Sequence, residues 1–176
     1  MVFLFSGLVL GETIDSLEYR GDGLIYEKSS DVPFTGNLTR GTDQGTIRNG
    51  KKEGLWVYYY DNGQLWTKET IKDGKLDGPW VEYHENGQLS SKRNYKDGKE
   101  VGPWVSYYDN GQLDYKGTYK DGYQEGPWVE YHENGQLWSK GTYKDGKEVG
   151  PWVYYDDDGQ LWFKGTFKDG EVIVED

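Results

Sequence analysis

The chain has 176 residues, a net charge of -11 and no cysteine, which excludes disulfides, thiolate metal sites and cysteine nucleophiles. Apolar residues make up 34% and mean hydropathy is -0.94, a balance that in most chains means disorder. The 8 Trp, 16 Tyr and 5 Phe reverse that reading, because aromatic rings carry large apolar areas to bury.

Few aliphatics are present to thicken a core, so a thin aromatic-lined sheet is expected. An acidic surface repels phosphate backbones and anionic head groups, which rules against nucleic acid as a partner and makes a membrane surface a poor one.

Residues 1–11 open with an apolar run, Val2 to Leu10. It is too short to cross a bilayer as a helix. It resembles the apolar core of a signal peptide, with Gly11 ahead of a cut before Glu12, although no basic residue precedes it. That reading places the chain in a secreted or periplasmic location. The other reading, a first β-strand of the folded body, leaves a cytoplasmic location open. Residues 12–44 follow no period and read as an N-terminal cap, since repeat arrays need atypical ends.

From residue 45 to 176 a 24-residue period dominates. Trp56, Trp80, Trp104, Trp128 and Trp152 mark it. Asn62-Gly63, Asn86-Gly87, Asn110-Gly111, Asn134-Gly135 and Asp158-Gly159 recur in step, as do Leu65 to Leu161, Lys68 to Lys164 and Asp73-Gly74 to Asp169-Gly170. Five full repeats run from about residue 54. Gly45 to Gly54 keeps the second half of one more, with Asn49-Gly50 as its turn. Residues 79–105 and 127–153 differ only at Ser90 against Trp138, Arg93 against Gly141 and Asn94 against Thr142, as duplication of a two-repeat block would leave them.

Each unit predicts a hairpin. Asn-Gly between two apolar runs signals a type I′ turn, and Trp104 to Tyr108 is β-branched and aromatic as a strand should be. The Asp121-Gly122 stretch through Gly126 reads as a longer link to the next hairpin. No helical period is sustained. The expected fold is therefore all-β: an elongated, twisted, single-layer antiparallel meander with two strands per repeat, each repeat adding about 10 Å. With Asn110-Gly111 as loop, Tyr108 faces Leu113, Ser106 faces Tyr115, and the Trp104 ring can lie over the bare backbone of Gly117. One face then carries Trp104, Tyr108, Leu113, Tyr115 and Tyr119. The other carries Val105, Tyr107, Asp114, Lys116 and Thr118, and a one-residue slip would exchange them.

The pattern from Gly141-Thr142-Tyr143 through Trp152 to Asp158-Gly159 resembles MORN repeats over residues 41–176, in the bacterial variant form whose members are often described as antitoxins of toxin–antitoxin pairs. Asp22 to Tyr26 and Val32 to Gly36 are similar to the lead-in of secreted bacterial members. The resemblance implies a scaffold that contacts protein or lipid. It implies no cofactor and no enzymatic domain.

No catalytic constellation is nominated. His84 and His132 share a column four strands apart, about 19 Å, and cannot share a metal ion. Asp156-Asp157-Asp158-Gly159 is explained by turn chemistry and lacks the spaced ligands of a calcium loop. No phosphate-binding loop occurs, and Asn37-Leu38-Thr39 is a short glycosylation pattern of little weight. Paired carboxylates recur as repeat columns, whereas a catalytic site is unique.

The aromatics are the candidates for contact. Trp66, Trp138 and Trp162 occupy a column that elsewhere holds Ser90 and Asp114, and exposed aromatics mark contact surfaces. The shared column Tyr59, Tyr83, Tyr107, Tyr131 and Tyr155 reads mainly as packing and secondarily as contact. The expected function is a non-catalytic protein-binding scaffold, antitoxin-like by resemblance, with a basic partner suiting the charge. The alternative is secreted carbohydrate or cell-wall binding through the aromatic columns. Homo-oligomers through free sheet edges are a separate expectation.

Overall fold

The computed structural model describes residues 14–39 and 41–173; the Val2–Leu10 run lies outside them. A 3-10 turn at Ile14–Ser16 leads into β1 (Leu17–Tyr19) and β2 (Ile25–Glu27), which pair with each other. β3 (Gly36–Leu38) and β4 (Asp43–Arg48) begin the main sheet. It continues through β5 (Lys51–Tyr59), β6 (Leu65–Lys72), β7 (Lys75–Tyr83), β8 (Leu89–Lys96), β9 (Lys99–Glu100), β10 (Gly102–Tyr107) and β11 (Leu113–Lys120). β12 (Tyr123–Gln124), β13 (Gly126–Tyr131), β14 (Leu137–Lys144), β15 (Lys147–Tyr155), β16 (Leu161–Lys168) and β17 (Glu171–Ile173) complete it. All pairings are antiparallel between neighbours in sequence, so the sheet is the expected meander of hairpins.

The turns exchange the roles the sequence suggested. Asp121 (φ 53) and Gly122 (φ 89) are both left-handed and join β11 directly to β12. The tight type I′ turn is therefore at Asp-Gly, and the expected longer link is a two-residue loop. At Asn110-Gly111 only the glycine is left-handed, at φ 83. Gly111 N–H donates to the Tyr108 carbonyl and Tyr108 N–H to the Gln112 carbonyl, both at 2.9 Å. This is a type I turn closed by a left-handed glycine. The Asn110 side chain favours it, because its Oδ1 accepts the Gln112 N–H at 2.9 Å.

The register agrees with expectation at Trp104↔Gly117 and Ser106↔Tyr115. It then shifts, and Tyr107 rather than Tyr108 pairs with Leu113, leaving Asp114 as the extra residue of a bulge. Leu113 thereby joins Tyr107 and Val105. Asp114 moves to the aromatic face, where Ser106 Oγ donates to its Oδ2 at 3.2 Å.

A second bulge builds the core. Between Lys140↔Val153 and Thr142↔Val149, the residues Gly150, Pro151 and Trp152 stand opposite Gly141 alone. Gly150 takes φ 68, and the extra length folds the Trp152 ring down onto Gly141. A Cβ on Gly141 would sit 2.0 Å from that ring; Trp128 covers Gly117 in the same way (1.8 Å) and Trp56 covers Gly45 (2.4 Å). The expectation placed Trp104 over Gly117, its cross-strand partner. The covering ring comes instead from the following hairpin, so each tryptophan fastens two repeats. This is how a single-layer sheet brings Trp56, Trp128 and Trp152 to 0%, 4% and 1% exposure.

Arg93 occupies the glycine column one repeat earlier. Its guanidinium lies 3.6 Å from the Trp80 ring and 4.6 Å from the Trp104 ring, a cation between two π faces. Trp104 is held off the strand and only half-buried, and its Nε1 has no hydrogen-bond partner among the described residues. At the N-terminal end the cap closes the array with Leu17, Ile25, Phe34 and Leu38 packed on Ile47 and Trp56.

Gly141→Ala is expected to lower unfolding free energy by about 1–3 kcal/mol through overpacking against Trp152. Chemical denaturation checks this, and an unchanged midpoint would show that the ring does not rest on that strand.

Candidate interaction site

The aromatic face is a continuous ladder. Trp104 contacts Tyr119 (4.6 Å between centroids), Tyr115 stacks on Trp128 (5.5 Å), and Tyr143 meets Trp152 edge-on (5.0 Å). Burial pushes the phenols of Tyr108, Tyr119 and Tyr143 up to about 12. Tyr58 and Tyr154 are raised further, by burial first and then by donation to a carboxylate: Tyr58 to Glu69 Oε1 at 2.5 Å and Tyr154 to Glu148 Oε1 at 2.6 Å. Lys52 donates to the Tyr58 hydroxyl at 2.8 Å and lies over the Trp56 ring at 4.2 Å, and burial lowers its pKa.

The histidines have a structural task. Tyr60 Oη donates to the Tyr83 carbonyl (2.8 Å), His84 Nε2 to Tyr107 (2.8 Å), Tyr108 Oη to Tyr131 (2.8 Å) and His132 Nε2 to Tyr155 (3.0 Å). Each ring staples its turn to the next repeat, so imidazole and phenol alternate because both end in a donor at similar reach. Asn86, Asn110 and Asn134 add a parallel series, donating Nδ2–H to the carbonyls of Asp109, Glu133 and Asp157. Asp156 and Asp158 hold these positions in the last repeat. Asp156 Oδ1 accepts the N–H groups of Asp158 (3.1 Å) and Gln160 (2.7 Å), the turn chemistry expected of this cluster. Among the described residues no group of three His, Cys, Asp or Glu could hold a metal ion.

The residues singled out for contact divide between the two faces. Trp66, Trp138 and Trp162 stand on the aromatic face beside the Asn-Gly turns, exposed by 42%, 43% and 74%. Trp66 Nε1 donates to Glu82 Oε1 at 3.0 Å and its ring lies 5.9 Å from Tyr60. Trp138 lies 6.3 Å from His132, and Trp162 6.3 Å from Tyr154. Trp138 and Trp162 are on adjoining repeats, about 10 Å apart, whereas Trp66 is three repeats from Trp138, about 29 Å. Acidic turn residues Glu85, Glu133 and Asp157 lie along the same edge.

Tyr59, Tyr83, Tyr107, Tyr131 and Tyr155 lie on the opposite face, each paired with a leucine, as in Tyr107↔Leu113 and Tyr131↔Leu137. Sequence reasoning placed Val105, Lys116 and Thr118 on the face of Tyr107 but missed the continuous rows they form. Beside this row runs a second, in which valine and lysine alternate from strand to strand: Val81↔Lys92↔Val105↔Lys116↔Val129↔Lys140↔Val153. A third row pairs Pro103↔Thr118 and Pro127↔Thr142. Pro103, Val105, Thr118, Pro127, Val129 and Thr142 line a shallow trough of 790 Å³ that continues to Val153. The expected face of Lys116, with Val105, Tyr107 and Thr118, agrees with the register; the bulge at Tyr107 changes only Leu113 and Asp114.

The family described as MORN repeat variant matches residues 52–73, 76–97, 100–121, 124–145 and 148–169. No curated protein matches the chain. Among 26 solved chains that match is one from the crystal structure of the GtfA/B complex bound to UDP and GlcNAc, at 11% identity and a TM-score of 0.21. That match covers 79% of this chain and 25% of the other, so the chain spans about a quarter of the structure it matches.

The buried phenols carry a pH dependence. Folded Tyr108, Tyr119 and Tyr143 keep their protons to about 12, against 10.0 for a free phenol. The native state therefore binds more protons than the unfolded chain above pH 10, and stability falls with rising pH across that window. Urea unfolding midpoints should be flat around neutrality and drop steadily from about pH 10. A midpoint constant to about pH 11 would show that these phenols titrate as free ones.

Proposed function

Because the chain belongs to the MORN repeat variant family, whose repeats commonly serve as binding and scaffold units, we propose that it is a non-catalytic scaffold that holds a protein partner along its sheet. The observation that carries this reading is the exposure of three tryptophans on a molecule that buries Trp56, Trp80, Trp128 and Trp152, with Trp162 at 74%. A solvent-facing indole is retained where a partner covers it. Both histidines are occupied as staples between repeats, which fits a structural use of the residues a catalytic reading would need first. The acidic turns beside Trp138 and Trp162 suit a basic partner surface. An antitoxin role is one form of this reading, the partner then being a toxin.

Carbohydrate binding is the second reading, and the spacing of Trp138 and Trp162 on adjoining repeats favours it, since two rings about 10 Å apart could stack on one glycan.

Affinity capture from a source-cell lysate tests both, with Trp66/Trp138/Trp162→Ser as the companion variant. The scaffold reading expects a specific protein recovered by the natural chain and reduced at least about tenfold in the variant, as loss of hot-spot aromatics would give. Equal recovery would remove the tryptophans from the site. Recovery of no protein, with glycan-array binding lost in the variant, would replace the scaffold with the carbohydrate reading.

A further inference from the structure

We infer that the face opposite the aromatic ladder is a docking strip for an extended acidic polypeptide segment running along the array, across the strands. This rests on the scaffold reading and names a second surface and the chemistry of what it takes.

Charge is the first ground. Lys68, Lys92, Lys116, Lys140 and Lys164 are all exposed on this face. Lys68, Lys92, Lys116 and Lys140 each sit between two valines in the cross-strand row, as Lys116 does between Val105 and Val129, and Lys164 sits beside Val153. The ion pairs among the described residues both belong to Arg20, so no lysine of the row has a carboxylate within ion-pair distance. Lys120 and Lys144 lie on the same face nearer the Asp-Gly turns. The acids lie mostly elsewhere, in the turns and on the aromatic face, where Glu82, Asp114, Glu130 and Glu148 bond with Trp66, Ser106, Ser139 and Tyr154. Glu125, at the margin of the lysine face, has its Oε2 taken by the Asp145 N–H at 3.0 Å. A protein of net charge -11 thus carries one cationic, unpaired strip.

Spacing is the second ground. Successive lysines are two strands apart, about 9.4–9.8 Å. A polyproline II segment advances about 9.3 Å per turn of three residues. One carboxylate every third residue would therefore meet one lysine per repeat without strain in either chain. The tyrosine row (Tyr83, Tyr107, Tyr131) and the Pro/Thr row have the same period and flank the lysines, and Trp104 and Trp128 line the trough as the aromatics such segments favour.

Other polyanions fit less well. Duplex DNA carries one charge per about 1.7 Å, far denser than the lysines, and would sense the repulsion of the acidic remainder. A flat anionic bilayer would not fill a trough and would meet the acidic turns at its margins.

Titration with a synthetic peptide of five Glu-Pro-Pro triplets tests the inference, read by tyrosine and tryptophan fluorescence and calorimetry. Salt-dependent binding is expected, weakened about tenfold in Lys92/Lys116/Lys140→Gln. The Trp66/Trp138/Trp162→Ser variant should keep it. A peptide of Glu-Pro-Pro-Pro units, out of step with the repeat, should also bind about tenfold less well. These lysines touch no carboxylate, so the Gln variant should keep its circular dichroism and melting point. Equal binding by the Gln variant, equal binding of Lys-Pro-Pro triplets, or no peptide binding would each overturn the inference. Binding of phosphatidylserine vesicles or duplex DNA in preference to the peptide would also overturn it. A partner captured through the tryptophans alongside a negative peptide titration would leave the scaffold reading standing and remove this one.

Discussion

A tryptophan ring lying on a strand that has no side chain to hold it away is the contact on which the rest of this molecule depends. It needs three things at once: a glycine in the preceding hairpin, a two-residue step led by glycine that puts extra length before the tryptophan, and a left-handed backbone at that leading glycine. Gly141, Gly150-Pro151 and Trp152 show the set complete. The indole then reaches back to donate to the Thr142 carbonyl at 3.3 Å, as Trp56 does to Thr46 at 3.1 Å. A single sheet has no second layer to bury its rings, so the rings lie down and cover one another. Every such contact joins neighbours only, and stability accumulates along the array repeat by repeat.

Arg93 shows what happens when one condition fails. Without the bare backbone the following ring is lifted, and a guanidinium fills the space between Trp80 and Trp104. Cation–π attraction replaces close packing, but Trp104 Nε1 and Arg93 Nε find no hydrogen-bond partner among the described residues. The duplicated block that carries Gly141 at the equivalent position has no such orphan.

Much of this was legible in the residues. The period, the strands, the all-antiparallel meander and the pairing Trp104↔Gly117 follow from spacing and turn signals alone. Turn type did not, because Asn-Gly and Asp-Gly both satisfy the hairpin signal. The choice lies in a side-chain bond, Asn110 Oδ1 to Gln112 N–H, that only the folded turn displays. That choice adds one residue to the loop and carries Leu113 and Asp114 to opposite faces from those expected. The lysine column kept its expected face beside Val105 and Tyr107, but the pairing of each hairpin with the next, which makes it a continuous row, showed only in the fold. Net charge sums over two faces that the pleat keeps apart, so it gives no sign of the exposed lysine row. The exposure of Trp66, Trp138 and Trp162 was signalled by variation within a repeat column, which survives any register.

The side-chain staples beside the Asn-Gly turns all point one way. Tyr60, His84, Tyr108 and His132 give a hydrogen to the repeat that follows, as do Asn86, Asn110 and Asn134. This edge of the array therefore has a polarity, donors leading and acceptors trailing. In the fifth repeat both donors become carboxylates, Asp156 and Asp158, and that of Asp156 turns inward on its own loop. Another copy approaching that end with its turns in register would find two negative charges where a growing stack needs two hydrogens. Self-similar repeats invite end-to-end polymerisation, and two aspartates in one turn withhold the chemistry that fibre growth along this edge would use.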